Sequence, residues 1–183
     1  SLEGEDGVLG PLPGLVAVEA WARPAVSAVL GELADALAVR DADAAVEALR
    51  TLRAADAGRA ALLVPGLQES HVHATSLRER GFPATGRWVA DGVGGEGAVA
   101  ELVRHLLAPA VLVDDLDAAR ALVAARPELV AVTADGDVLG AGRASGGSGT
   151  ASSGLDVAAA VAEAEQGLAG VEDELAALRP ALD

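Results

Sequence analysis

The feature that most limits what this chain can fold into is a motif that occurs twice. Val39-x-Asp41-x-Asp43-Ala44-Ala45 is matched by Val113-x-Asp115-x-Asp117-Ala118-Ala119, an offset of 74 residues. Each copy closes an apolar run and opens an alanine- and leucine-rich stretch of helical period. Each therefore reads as a strand followed by a helix, with one aspartate at the cap and another favoured by the helix dipole. In the second copy the strand is expected at 111–113, the helix runs to Arg126-Pro127, where proline forbids continuation, and a second strand spans 129–133. Asp135-Gly136 supplies a turn, Val138-Leu139 resumes the strand, and five glycines lie between Gly140 and Gly149. Two related α/β lobes are the simplest reading.

Along the rest of the chain, residues 2–14 are glycine, proline and acid, a surface segment anchored by Val8 and Leu9. A short strand is expected at 15–18. A helix follows from Pro24 through Val26, Val29 and Leu30 to a left-handed cap at Gly31. The first-copy helix should turn Ala45, Val46, Leu49 and Leu52 inward and close at Gly58, before a strand at 59–64 that Pro65-Gly66 stops. Residues 67–97 read as an irregular connection pinned by Trp88 and Val89, and 98–107 as a helix with Val99, Leu102, Val103 and Leu106 inward. The division expected is a first lobe at 1–66, the connection at 67–97, a second lobe at 98–150 and a helical arm at 151–183. In that arm Ser153-Gly154-Leu155-Asp156 resembles a capping box. Val157, Val161, Ala164, Leu168, Val171, Leu175, Leu178 and Leu182 then alternate steps of four and three, a heptad seam. Such a stripe needs a partner helix, and none of comparable length exists in the chain.

Composition excludes several functions. There is no cysteine, hence no disulfide, thiolate nucleophile or cysteine-ligated zinc. A net charge of −15 repels polyanions on average, so contact with nucleic acid would need a local arginine cluster. Neither a run of transmembrane length nor a basic-then-apolar leader is present, and the expectation is a soluble cytoplasmic protein without membrane contact. A start at Ser1 and the absence of methionine suggest a piece of something longer.

Several residue sets could carry chemistry. Asp114, Asp115 and Asp117 after a strand could hold magnesium, but the same spacing at Asp41 and Asp43 favours helix caps. The glycine run from Gly140 to Gly147 follows a strand, yet it lacks the Lys-Ser/Thr of a P-loop and the helix start of a dinucleotide motif. Glycines in a strand otherwise mark close approach of another backbone, and an interface outweighs a nucleotide site. His71 and His73 lack a third ligand, and His105 lies on a helix flank. Ser145, Ser148, Ser152 and Ser153 have no evident base. No catalytic residue, cofactor or metal is assigned.

Four segments carry a resemblance: GVLGPLPGLVAV at 7–18, AVLGELADALAV with the following DxDAA helix at 28–45, GRAALLVP at 58–65 and VTADGDVLGAGRASGGS at 132–148. Together, from Gly7 to Gly149, they resemble the hinge domain of a bacterial-type structural maintenance of chromosomes (SMC) protein, with a stub of its coiled-coil arm. That resemblance implies an α/β (α+β) fold of two pseudo-repeated lobes of mixed sheet flanked by helices. It implies a doughnut-like homodimer in which each lobe meets the opposite lobe of the partner and strands pair between subunits. Gly142, Gly146 and Gly147 carry over by position to that interface, and Gly140 precedes them in the same run. The arm's partner helix would belong to a missing N-terminal arm, and the ATPase heads of the family, which condense and segregate chromosomes in the nucleoid, lie at the far ends of the arms. Hinges of the family often bind DNA near the coiled-coil junction; Arg143 and Arg179 are the candidates here, in a junction poor in arginine.

Overall fold

The computed structural model describes residues 7–67, 72–80 and 86–147, together with positions 160, 161, 164 and 168. The first half runs β1 (Val8–Pro11), a 3-10 turn (Leu12–Gly14), β2 (Ala17–Val18), α1 (Arg23–Leu30), a 3-10 turn (Gly31–Asp35), β3 (Leu37–Val39), α2 (Ala42–Ala54) and β4 (Leu62–Leu63). There follow α3 (Val72–Glu79), β5 (Arg87–Trp88), a 3-10 turn (Val89–Gly92) and β6 (Val93–Gly94). The second half continues with α4 (Ala98–Leu106), β7 (Ala110–Val113), α5 (Leu116–Ala125), β8 (Val130–Thr133), β9 (Val138–Gly140) and β10 (Arg143–Ser145).

The repeated motif is a repeated structure. β3–α2–β4 and β7–α5–β8 are both parallel crossovers, and in each an antiparallel strand flanks the first strand, β1 on β3 and β5 on β7. The caps coincide in detail. Asp41 (φ −158°, ψ −179°) accepts a hydrogen bond from the Ala44 amide at 2.9 Å, and Asp115 (φ −155°, ψ 179°) accepts one from the Ala118 amide at 2.8 Å. Three sheets result, ordered β1-β3-β4, β10-β9-β8-β7-β5 and β2-β6. The main core joins both halves: Leu12, Val26 and Leu30 pack in one cluster with Val103, Val132 and Val138. On the other face of the sheets lie two unequal clusters. The one under α5 holds Leu77, Val111, Val113, Leu122 and Leu129 with Val123 and Leu139 at its margin, whereas the one under α2 holds only Val39, Ala44 and Ala45 with Val8, Leu62 and Val64 at its margin.

Four expectations are corrected. α2 buries Ala44, Ala45 and Ala48, while Val46 and Leu49 are 45% and 49% exposed. An alanine-rich helix offers more than one stripe of the right period, and the small residues are chosen because they let the helix lie close to the sheet. α2 also closes before Gly58. Asp56 takes the left-handed position (φ 48°), with Asp56 N donating to Arg53 O at 3.3 Å and Ala57 N to Leu52 O at 3.0 Å, a Schellman ending without glycine. Gly31 has φ 56° but ψ −127°, outside the left-handed helical region, and the chain passes directly into a 3-10 turn. Residues 67–97, read as irregular, contain α3, β5 and β6, with β5 paired to β7 and β6 to β2. Strands of two residues are too short to show a period.

Candidate subunit interface

Every sheet is open at both ends among the described residues, and of these edges β4 and β10, each the last strand of its sheet on the side away from β1 and β5, define the site. β4 closes the first sheet. Its neighbourhood, Ala61-Leu62-Leu63-Val64, carries no charge; a bare apolar edge is a template for another chain, and here it is blunted by the shortness of β4 and by Pro65 and not by any charged side chain. The equivalent strand β8 is four residues long and pairs on both sides, with β7 and β9. β4 pairs on one side only and is two residues long. β10 closes the larger sheet, and Arg143, Ala144 and Ser145 are all exposed.

The glycine run is a hairpin rather than a phosphate loop. β9 and β10 pair antiparallel with Gly140 opposite Arg143, so Ala141 and Gly142 are the two turn residues. Both have positive φ, 51° and 73°, as a type I′ turn requires. Each glycine singled out for an interface thus has a reason within its own chain. At Gly140 (φ 137°) a Cβ would stand 2.6 Å from Leu129 O and 3.0 Å from the Val130 Cα. Gly142 serves the turn. A Cβ on Gly146 would overlap the Asp137 carboxylate, and Gly147 (φ 119°) donates its amide to Asp137 Oδ1 at 3.1 Å. Asp137 is the latch for the end of β10: its Oδ2 accepts from Thr133 Oγ1 at 3.2 Å, and its own amide donates to that hydroxyl oxygen at 3.1 Å. Thr133 is 3% exposed, so the turn between β8 and β9 is rigidly built.

Arg143 on β10 donates through Nη2 to Val29 O at 3.0 Å, tying the hairpin to the end of α1; Arg179 lies outside the described residues. Of the acidic candidates, Asp115 caps α5 and Asp117 pairs with Arg120 at 3.5 Å. Among the described residues no group of three or more His, Cys, Asp or Glu side chains is placed to hold a metal. His105 lines a cavity of about 510 Å³ with Arg78, Asp91, Glu101 and Arg104, and its Nδ1 is buried without a partner among the described residues. His71, the His73 side chain, Ser148, Ser152 and Ser153 fall outside the described residues, as does most of the heptad seam. Positions 160, 161, 164 and 168 are helical, with Val161 51% and Leu168 60% exposed. No described helix is long and apolar enough to cross a membrane.

Comparison with known proteins gives the fold its family. Residues 5–123 match the family described as SMC proteins Flexible Hinge Domain. The chain belongs to the SMC hinge family. It is 43% identical over 141 residues to Chromosome partition protein Smc of Mycolicibacterium paratuberculosis, a match covering 77% of this chain and 11% of that protein. It is 38% identical to Chromosome partition protein Smc of Mycobacterium tuberculosis over 77% of this chain and 12% of that one. The hinge therefore spans little more than a tenth of the length of these relatives. Among solved structures, the asymmetric dimer of the Geobacillus stearothermophilus SMC hinge domain superposes with a TM-score of 0.67 at 26% identity, covering 96% of this chain and 76% of that chain. The Pyrococcus furiosus hinge domain shares the fold, with a TM-score of 0.60 at 23% identity over 82% of this chain and 80% of that chain.

The two edges and the bare stripe on α2 escaped the sequence reading. The uncharged run at 61–64 and the contrast between Val46 and its repeat counterpart Arg120 were the available signals.

Proposed function

We propose that this hinge is a homodimerisation module joining two coiled-coil arms of a chromosome-organising ATPase in the bacterial cytoplasm, with no catalytic step of its own. The observation that carries the proposal is the pair of open edges: an uncharged β4 on one sheet and a small-residue β10 on the other, each with unused backbone donors and acceptors. The β4 edge of each subunit meets the β10 edge of the other. The arms would continue from the helical positions 160, 161, 164 and 168, where the exposed Val161 and Leu168 stand one heptad apart. The Geobacillus stearothermophilus relative described as a dimer, and the partition proteins of which the matched segments are a tenth, support the same reading.

Sedimentation equilibrium tests it. The chain should run as a dimer at concentrations of about 1 μM and above. A monomer throughout that range would refute it.

A further inference from the structure

Resting on that dimer reading, we infer that the second copy covers the outer face of α2 as well as the β4 edge, burying Val46 and Leu49. The two halves of the chain differ at matched positions of their helices. Where α5 has Arg120, exposed and paired with Asp117, α2 has Val46, 45% exposed. Where α5 has Val123, partly buried against its cluster, α2 has Leu49, 49% exposed. At the first position a charge facing water on α5 is replaced by an aliphatic residue on α2; at the second both helices are aliphatic, and only α5 covers its residue, although α5 does expose Leu116 in its first turn.

What covers Val123 identifies what should cover Leu49. β9 lies beyond β8 and places Leu139 opposite Ala131, under α5. Ala131 pairs with Val111 of β7, as Leu62 pairs with Leu37 of β3, and residues 37 and 111 are repeat equivalents. Leu62 is thus the counterpart of Ala131, and no strand stands beyond it among the described residues. The free strand able to take the place is β10 of a second copy. Ala144 lies opposite Leu139 and so points to the face of the sheet that α5 covers. Because parallel crossovers are right-handed almost without exception, antiparallel addition of β10 to β4 brings that face to the α2 side. Ala144 then lies beneath Leu49, its small side chain leaving room for the leucine.

The test compares dimer dissociation constants of the full chain and its variants by sedimentation. Leu49→Gln and Val46→Arg keep helix-compatible residues at positions already half exposed, and each should raise the constant on the order of tenfold or more. Arg120→Leu, the matched change on α5, should leave it unchanged. Circular dichroism melting confirms that each variant is folded, and two independent variants guard against loss of one. A dimeric parent whose constant moves less than about twofold in both α2 variants overturns the inference while leaving the hinge reading intact. A monomeric parent overturns both. If removing residues 151–183 exposes α2 amides to hydrogen exchange without changing the dimer constant, the chain's own arm is the cover and the inference fails.

Discussion

Gly140 separates intrachain from interchain explanations of the glycine run, and Gly140→Ala is the perturbation that tests them. Two terms add. A φ of 137° lies where L-residues rarely go, at a cost of about 1–3 kcal/mol. The new methyl would also stand 2.6 Å from Leu129 O and 3.0 Å from the Val130 Cα, backbone atoms at the entry to β8, a strand held on each side. Overpacking against atoms that cannot rotate away costs about 1–3 kcal/mol. The sum is roughly 2–6 kcal/mol, or a fall in Tm of about 5–20 °C for a chain of this size. Gly142→Ala is the control. Its φ of 73° is strained, but no atom lies within 4 Å of the added Cβ, so only the backbone term of about 1–2 kcal/mol remains. Urea denaturation below the dimer constant, where only the monomer is present, isolates the effect. If both alanine variants cost the same within about 0.5 kcal/mol, the close-approach reasoning is wrong. If Gly140→Ala leaves the monomer unchanged and weakens only the dimer, the glycine belongs to the interface.

Two further outcomes follow from local chemistry. Asp56 and Ala141 hold left-handed conformations (φ 48° and 51°) better suited to glycine or asparagine, so Asp56→Gly and Ala141→Asn should each stabilise the fold by about 0.5–1 kcal/mol, read as a rise in urea midpoint. The Ala44 amide, then the Arg40 guanidinium, hold Asp41 below the ordinary aspartate value of 3.8, and Arg126 likewise lowers Glu128. A carboxyl depressed in the folded state adds stability that is complete above its unfolded value and disappears as pH falls through the folded one. Denaturation midpoints should therefore drop in acid, and Asp41→Asn, which can cap without titrating, should flatten that drop. An unchanged slope would contradict the assignment.

Much of the fold was legible because its signals are local. Asp41 and Asp115 cap helices through bonds spanning three residues, Pro127 ends α5, and Asp135-Gly136 turns the chain, with Gly136 N donating to Thr133 O at 3.1 Å. What was not legible depends on distant partners. Nothing near Val93 announces that it pairs with Val18, and the reason residue 140 is glycine is a carbonyl eleven positions upstream. The inward face of α2 was misread because alanine satisfies every helical stripe at once. Of the candidate interface, the glycine hairpin was visible in sequence, but an open strand edge is a relation between strands and has no residue signature of its own.

The inequality between the halves bears directly on assembly. A duplicated unit that completed its sheet in both copies would have no reason to associate. Here the second half carries β9 and β10 beyond β8, and the first half stops at β4. Among the described residues β4 lacks the strand that β9 supplies to β8, and β10 has no outer neighbour, so two different surfaces of one molecule stand open. Such a pair can join copies head to tail without limit, leaving β4 bare at one end and β10 at the other, or it can close. Under the proposed pairing, closure at two copies occupies the β4 and β10 edges of both chains, so neither of these is left to recruit a third copy. The uncharged run at 61–64 is shielded only by the shortness of β4 and by Pro65 after it, and a two-fold ring is the smallest assembly that covers the edge outright.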